Sequence, residues 1–357
     1  MKLIIAFFFA AFIASTTLAQ DTTQSQTLLN APPQGWYQQN NPATGYASTI
    51  FFLNRDTGWI AADLGILYTI DGGNNWEVRN PLHIHDQSFM DANNGWAVAD
   101  TSLVRTSDGG ANWQPTHAPV LGAMQIFGMD TIRIFNADIG STASSNDGGK
   151  TWVNPTVGFK GGTMYFASGQ IGFGGGLLTP WFGNPPPQKG TEGADFEYTI
   201  DGGLSWHAKY CSLQENLHLI FAIDEKHIYA DGYNIDYTSD GGNTWNQALP
   251  AGAFYGIFFL NAQTGYAVGT SGEIVFTNDT GNTWALQNSS VTSTLTNVFF
   301  IDSLTGWASG YDHSTILHTV NGGIAWVRQY LPFDSIVVQN YPEPATSSNV
   351  SIHYTIP

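Results

Sequence analysis

Cysteine is almost missing from this chain: Cys211 stands alone, so no internal disulfide can staple the fold, and stability has to come from a packed core. Basic residues are scarce too. Against 28 Asp and Glu there are 11 Lys and Arg, a net charge of −17. A field of that sign repels phosphate backbones, so nucleic acid is not an expected partner. Charged residues of both signs make up only 11%, and long amphipathic helices are not expected. Long apolar runs are confined to the start. Leu3 to Ala14, behind Lys2, is shorter than the ~20 residues that cross a bilayer. With Thr17-Leu18-Ala19 after it, the run reads as a signal peptide, residues 1–19. Export to the cell surface or the extracellular space is the expectation, with no transmembrane segment in the mature chain.

What the chain has in quantity is glycine, 40 residues, and aromatic side chains, 14%. This composition suits many short strands joined by tight turns. The turns repeat. Thr69-Ile-Asp71-Gly-Gly-Asn-Asn-Trp76 returns, with small changes, at Asp108 and Trp113, Asp147 and Trp152, Asp201 and Trp206, Asp240 and Trp245, Asp279 and Trp284, and Asn321 and Trp326. The spacing is about 40 residues, stretched by an insertion in the fourth repeat, and such a period marks a modular architecture. Within a repeat, turn residues separate four short apolar runs. In the sixth these are Gly256 to Leu260, Gly265 to Val268, Glu273 to Thr277 and Trp284 to Gln287.

One four-stranded sheet cannot bury both its faces, whereas radial packing of seven does. The expected fold is therefore all-β, a seven-bladed β-propeller of four-stranded antiparallel blades. Residues 46–331 form the propeller, 20–45 precede it with a possible closing strand, and 332–357 follow it. Two segments compete for the last blade's fourth strand: Trp36-Tyr-Gln-Gln-Asn40 and Trp326-Val-Arg-Gln-Tyr330. The box glycines permit the positive φ of a tight turn. Each box Asp can accept amides of its own turn, a structural use that Asn321 also fits.

The boxes resemble the Asp-box, or bacterial neuraminidase repeat. The longer phrases Asn94-Gly-Trp-Ala-Val98 through Asp108 to Trp113, and Thr264 to Gly269 through Asp279 to Trp284, resemble the repeat of photosystem II stability and assembly factor proteins and their bacterial relatives. Val338 to Pro344, with Asn340, Tyr341, Pro342 and Pro344, is similar to the opening of a type IX secretion sorting domain, with Glu343 where the usual pattern has Asn. That resemblance implies the type IX machinery as a partner.

A propeller offers its loops for recognition on the face opposite the boxes. Two features map there. The insertion carries Trp181 and Phe182 between prolines, a stiff aromatic patch suited to a protein or glycan. His83-Ile-His85-Asp86, with His117 in the next connection, places two imidazoles at alternate positions, which would hold a transition metal if a third ligand approached. The sequence by itself assigns no metal, cofactor or catalytic residue. Sialidase-like chemistry needs three converging arginines, and Arg55, Arg79, Arg105, Arg133 and Arg328 are not spaced for it. Asp63, Asp100 and Asp231 are candidate carboxylates for a glycosidase. The expected function is a non-catalytic binding or assembly scaffold for a protein or glycan, with a carbohydrate-active hydrolase as the alternative.

Overall fold

The computed structural model describes residues 35–40, 47–62, 65–100, 102–116, 118, 123–127, 131–136, 141–153, 163–175, 196–209, 217, 219–231, 235–249, 254–311, 315–330 and 336–341. Among these residues the architecture is all-β. Sheet one is Ala47–Phe52, Gly58–Ala62, Gly65–Thr69 and Glu77–Asn80, in that spatial order and antiparallel throughout. Sheets two, four, five and six repeat the order, and sheet seven has it for its first three strands.

Among the described residues six sheets are four-stranded, not seven as the repeats predict. The exception is the third repeat. There Ala123–Phe127, Thr131–Asn136 and Ser141–Ser145 make a three-stranded sheet, and a single bridge, Ser144 to Val153, stands where the fourth strand was expected. Pro155 follows two residues later in sequence and has no amide to donate to a ladder.

First strands lie against first strands: sheet six against seven, seven against one, one against two, two against three, and likewise four, five and six. The regularity of these seams comes from one aromatic position. In five sheets the second residue of the second strand is Trp59, Trp96, Tyr229, Tyr266 or Trp307, all at most 1% exposed, and in sheet four it is Phe173 at 3%. Trp59 stacks on Phe89 of the next sheet at 3.8 Å, Tyr266 on Phe300 at 3.7 Å and Trp307 on Phe52 at 3.5 Å. Four of the five polar tips are satisfied across the same seam, the exception being Trp96. Trp59 donates to the Gly109 carbonyl at 2.9 Å, Trp307 to Gly72 at 3.1 Å and Tyr229 to Thr280 at 2.8 Å. The seams between sheets one and two, five and six, six and seven, and seven and one thus combine ring stacking with a hydrogen bond to the neighbour's turn.

The third sheet carries Arg133 at the equivalent place in the ladder, opposite Ser144 as Trp59 is opposite Tyr68. It is buried, and its guanidinium donates to the carbonyls of Ile132, Ser145 and, across the seam, Gly169 at 2.7 Å. It also lies 5.8 Å from the Phe166 ring. Burial lowers its pKa from the usual value. Five donors in a plane replace the indole's single N–H, so a charged residue completes the seam between sheets three and four.

The seventh sheet settles the competition for closure. Its outermost strand is Tyr37–Gln38, paired antiparallel with Ile316–Thr319. Trp326 is therefore not in the blade. It lies in Ala325–Tyr330, which pairs instead with Ile336–Tyr341 in a separate two-stranded sheet. Strand Tyr37–Gln38 comes from the start of the chain and Leu295–Gly310 from near its end, so the last sheet holds both.

Candidate binding face

The box turns define one face. In six of them the Ser or Thr hydroxyl donates to the Asp Oδ1 and accepts the second glycine's amide, as Thr69 does with Asp71 and Gly73 at 2.9 Å each. The residue before the Trp closes the loop: the amides of Asn75, Asn112, Thr151, Ser205, Thr244 and Thr283 donate to Asp71, Asp108, Asp147, Asp201, Asp240 and Asp279, all at 2.9 Å. Hydrogen bonds from Thr151 hold Asp147 down at about 2, and those from Thr244 do the same for Asp240. Gly72 and Gly73 have φ of 70° and 89°, a region that a Cβ disfavours. Gly72 also donates to the Asp56 carbonyl in the turn between first and second strands, and Gly109 and Gly202 do likewise to Asn93 and Gln170. All the acidity of the boxes is therefore consumed in holding their own turns, on the same side as the first-to-second-strand turns.

The opposite, open face carries the starts of the first strands and the ends of the second. Four consecutive sheets share a feature here. The first strand of sheet six slips register between Phe254 and Gly256, sheet seven between Leu295 and Asn297, sheet one between Ala47 and Thr49, and sheet two between Ile84 and Asp86. A bulge inserts one extra residue and re-aims side chains at a sheet edge. The inserted residues are Tyr255, Thr296, Ser48 and His85. They form an arc around one side of the opening, and no such slip occurs in the described first strands of sheets three, four and five.

Over sheets six and seven the arc contains a groove of about 530 Å³ lined by Tyr255, Thr294, Thr296, Asn297 and Tyr311. None of these carries a charge. Tyr255 and Tyr311 are 51% and 65% exposed, and the Tyr311 amide is tied to the Thr294 carbonyl at 2.8 Å. Asn297 donates to the Ala47 carbonyl of sheet one at 3.2 Å, so the floor spans a seam. Two phenol rings above a hydroxyl and amide floor suit stacking on a flat group while exchanging neutral hydrogen bonds.

At the other end of the arc are His83 and His85. Their rings meet edge to face at 4.7 Å. Nδ1 of His83 and Nε2 of His85 are each 2.8 Å from the same atom, Oδ1 of Asp100. These contacts, that of His83 foremost, lower the Asp100 pKa. Pairing of Ile84 with Ala99 is what brings the three residues together. Asp86 does not join them; its Oδ1 accepts the Gln87 amide at 2.9 Å. His117, Trp181, Phe182, Asp63, Pro342 and Pro344 lie outside the described residues. Asn340 and Tyr341 belong to the strand that pairs with Ala325–Tyr330.

The arginines serve four separate structures among the described side chains. Arg55 pairs with Asp302 at 2.8 Å, Arg79 lies 3.7 Å over Tyr68, Arg105 lies 5.3 Å over Trp96, and Arg133 is buried. Tyr255, Thr296 and Tyr311 were not singled out from sequence, because a bulge is a property of pairing and leaves no residue signature. The spacing of Trp did hold one unread signal. Three residues after the Trp, Arg79, Lys209, Gln287 and Gln39 donate to the glycine carbonyl of the next sheet's box.

No family model matches the chain, and no curated protein matches it. Solved structures do. A structure described as YCF48 bound to D1 peptide superposes with a TM-score of 0.64 at 19% identity, covering 81% of this chain and 98% of that one. YCF48 from Cyanidioschyzon merolae gives 0.61 at 19%, covering 80% and 98%. The GH74 xyloglucanase from Xanthomonas campestris gives 0.59 at 11%, covering 87% of this chain and 60% of that one. At these identities the likeness shows the fold: the chain is a β-propeller of four-stranded antiparallel blades, similar in architecture to YCF48.

Proposed function

We propose that this propeller is a non-catalytic binding scaffold that captures an uncharged segment of a protein on its open face, with the three-stranded sheet standing as a seventh blade. One observation carries the reading: four consecutive first strands are bulged on that face only, and the bulges frame a groove whose described lining carries no charge and is flanked by two exposed tyrosines. The solved relative with a bound peptide supports a propeller of this design as a peptide receptor. A glycan is the other ligand class that such a groove accommodates.

The test is binding to arrays of neutral peptides and of glycans, followed by the Tyr255→Ala/Tyr311→Ala variant. Loss of about tenfold or more in affinity for the selected peptide is expected, since exposed aromatic anchors carry most of the energy of small interfaces. Unchanged affinity rejects the groove, and hits among glycans alone change the ligand class. Replacing Trp181 and Phe182 by Ala tests the insertion separately.

We further propose that the protein is exported, through the signal peptide at residues 1–19 and the segment around Asn340 to Pro344. Those residues carry this reading. Cell fractionation with and without residues 338–357 checks it: a surface or extracellular protein that becomes periplasmic on deletion supports the type IX route, and an unchanged distribution removes it.

A further inference from the structure

We propose that His83, His85 and Asp100 form a binding site for a first-row divalent cation, Zn²⁺ foremost, on the open face of sheet two. The donor atoms are Nδ1 of His83, Nε2 of His85 and a carboxylate oxygen of Asp100, all within 4.8 Å of one another. Two imidazole nitrogens and one carboxylate oxygen are the donor set that zinc takes in open, three-ligand sites, and they suit copper and nickel as well. They do not suit calcium or magnesium, which take oxygen.

The backbone builds the convergence. His83 and His85 flank Ile84, so they share one side of an extended strand. The bulge at His85 then turns its ring toward the end of the neighbouring strand, where Asp100 follows Ala99. Around a tetrahedral zinc with bonds near 2.0–2.1 Å, ligand atoms stand about 3.4 Å apart. The nitrogens are 2.8 Å from the Asp100 oxygen, so an ion enters when the donors part by roughly half an ångström. His85 and Asp100 are exposed and His83 is half-buried, which leaves the remaining coordination position to water or to an oxygen or nitrogen of a bound molecule. Protons compete for the same lone pairs, so affinity falls as the pH is lowered.

The site differs from the other described histidines. His227 pairs with Asp224 at 2.8 Å and stacks on Tyr237, His207 lies against the Tyr198 ring, and His318 is buried against Tyr37 and Gln39. The experiment is calorimetric titration of the metal-free, full-length protein with ZnCl₂, and of the His85→Ala, Asp100→Asn and His227→Ala variants, with melting curves recorded for each. About one equivalent is expected to bind the wild type and the His227→Ala variant, and affinity is expected to fall at least about tenfold in the other two. Because the three side chains are at the surface, their melting temperatures in the absence of zinc are expected to stay at the wild-type value. A cobalt titration supplies a second readout, since ligation by His85 changes the visible spectrum of wild type but not of His85→Ala. The proposal is overturned if wild type binds no zinc, or if His85→Ala and Asp100→Asn bind it as tightly as wild type.

Discussion

Six box turns and the seventh are built from the same bonds, yet the seventh takes its last two residues from the other end of the chain. Thr319 donates to Asn321 Oδ1 at 3.0 Å and accepts the Gly323 amide at 2.7 Å, as in every other box. The amide that should come from residue 325 comes from Gly35, which donates to Asn321 Oδ1 at 3.2 Å. Trp36 then fills the Trp position. It is 3% exposed, meets Phe300 edge to face at 5.7 Å, and donates to Gln287 at 2.8 Å. Trp76 meets Phe52 at 5.9 Å in the same way.

The split explains the one change in the box sequence. Elsewhere the second carboxylate oxygen accepts from the side chain before the Trp, as Asp240 does from Thr244 at 2.7 Å. Gly35 has no such side chain. Asn321 turns an Nδ2–H toward the Ile324 carbonyl at 2.7 Å instead, a bond for which a carboxylate has no donor. An intact turn is a local unit, while a split one contributes only after the ring has closed.

The largest expected difference follows from Trp36. Replacing it by Ala removes a buried indole and opens the closing seam, at a cost of about 3–5 kcal/mol. Trp326→Ala leaves the closing seam intact and is expected to cost less than Trp36→Ala. Denaturant unfolding of both variants measures the gap, and equal losses would mean that the two strands exchange in the seventh sheet.

Acid distinguishes the regions next. His318 lies at the closing seam, stacked on Trp307 at 4.7 Å and bonded to Tyr37 at 2.8 Å. Burial lowers its pKa from 6.5 to about 4. Below the unfolded value the unfolded chain binds the proton first, so stability is whole above pH 6.5 and declines as the pH falls toward 4, by up to about 3 kcal/mol. The box carboxylates behave differently: held at about 2 in Asp147 and Asp240, they keep their contribution above the unfolded value near 3.8 and lose it between there and 2. Melting temperature against pH should therefore show an upper phase that disappears in His318→Phe and a lower phase that remains.

A smaller test compares seams. Gln39 and Gln287 occupy equivalent places and donate to Gly72 and Gly322 at 2.7 and 2.8 Å. Substitution of either by Ala leaves a buried carbonyl with one partner fewer, at about 1–2 kcal/mol. If Gln39→Ala costs clearly more, the closing seam is the weaker one. The smallest effect is expected from Asn321→Asp, about 1 kcal/mol at neutral pH, from loss of the donor to Ile324. Its cost should shrink below pH 4, where a protonated carboxyl regains an O–H.

Much of this architecture was readable before any coordinates, and for a definite reason. A box turn is satisfied by its own eight residues, so its phrase recurs wherever the turn does, and the period counts the modules. Trp36-Tyr-Gln-Gln-Asn40 was visible as a possible closing strand on the same ground. The third repeat carries the same box phrase as the others, and that it makes a three-stranded sheet among the described residues was not readable from it. The open face was hardly readable. His83 and His85 drew notice by their spacing, yet their partner Asp100 is fifteen residues from His85, and Asp86, adjacent in sequence, is turned to its own backbone.

By itself, then, the sequence determined the turns and the strand order within most of the sheets, because those depend on alternation, glycine and hydrogen bonds a few residues apart. Tertiary structure alone decided which end of the chain closes the ring, where the first strands bulge, and that two histidines share one carboxylate. Each of those is a contact between segments brought together only when strands pair and sheets pack, and local residue preferences do not encode it.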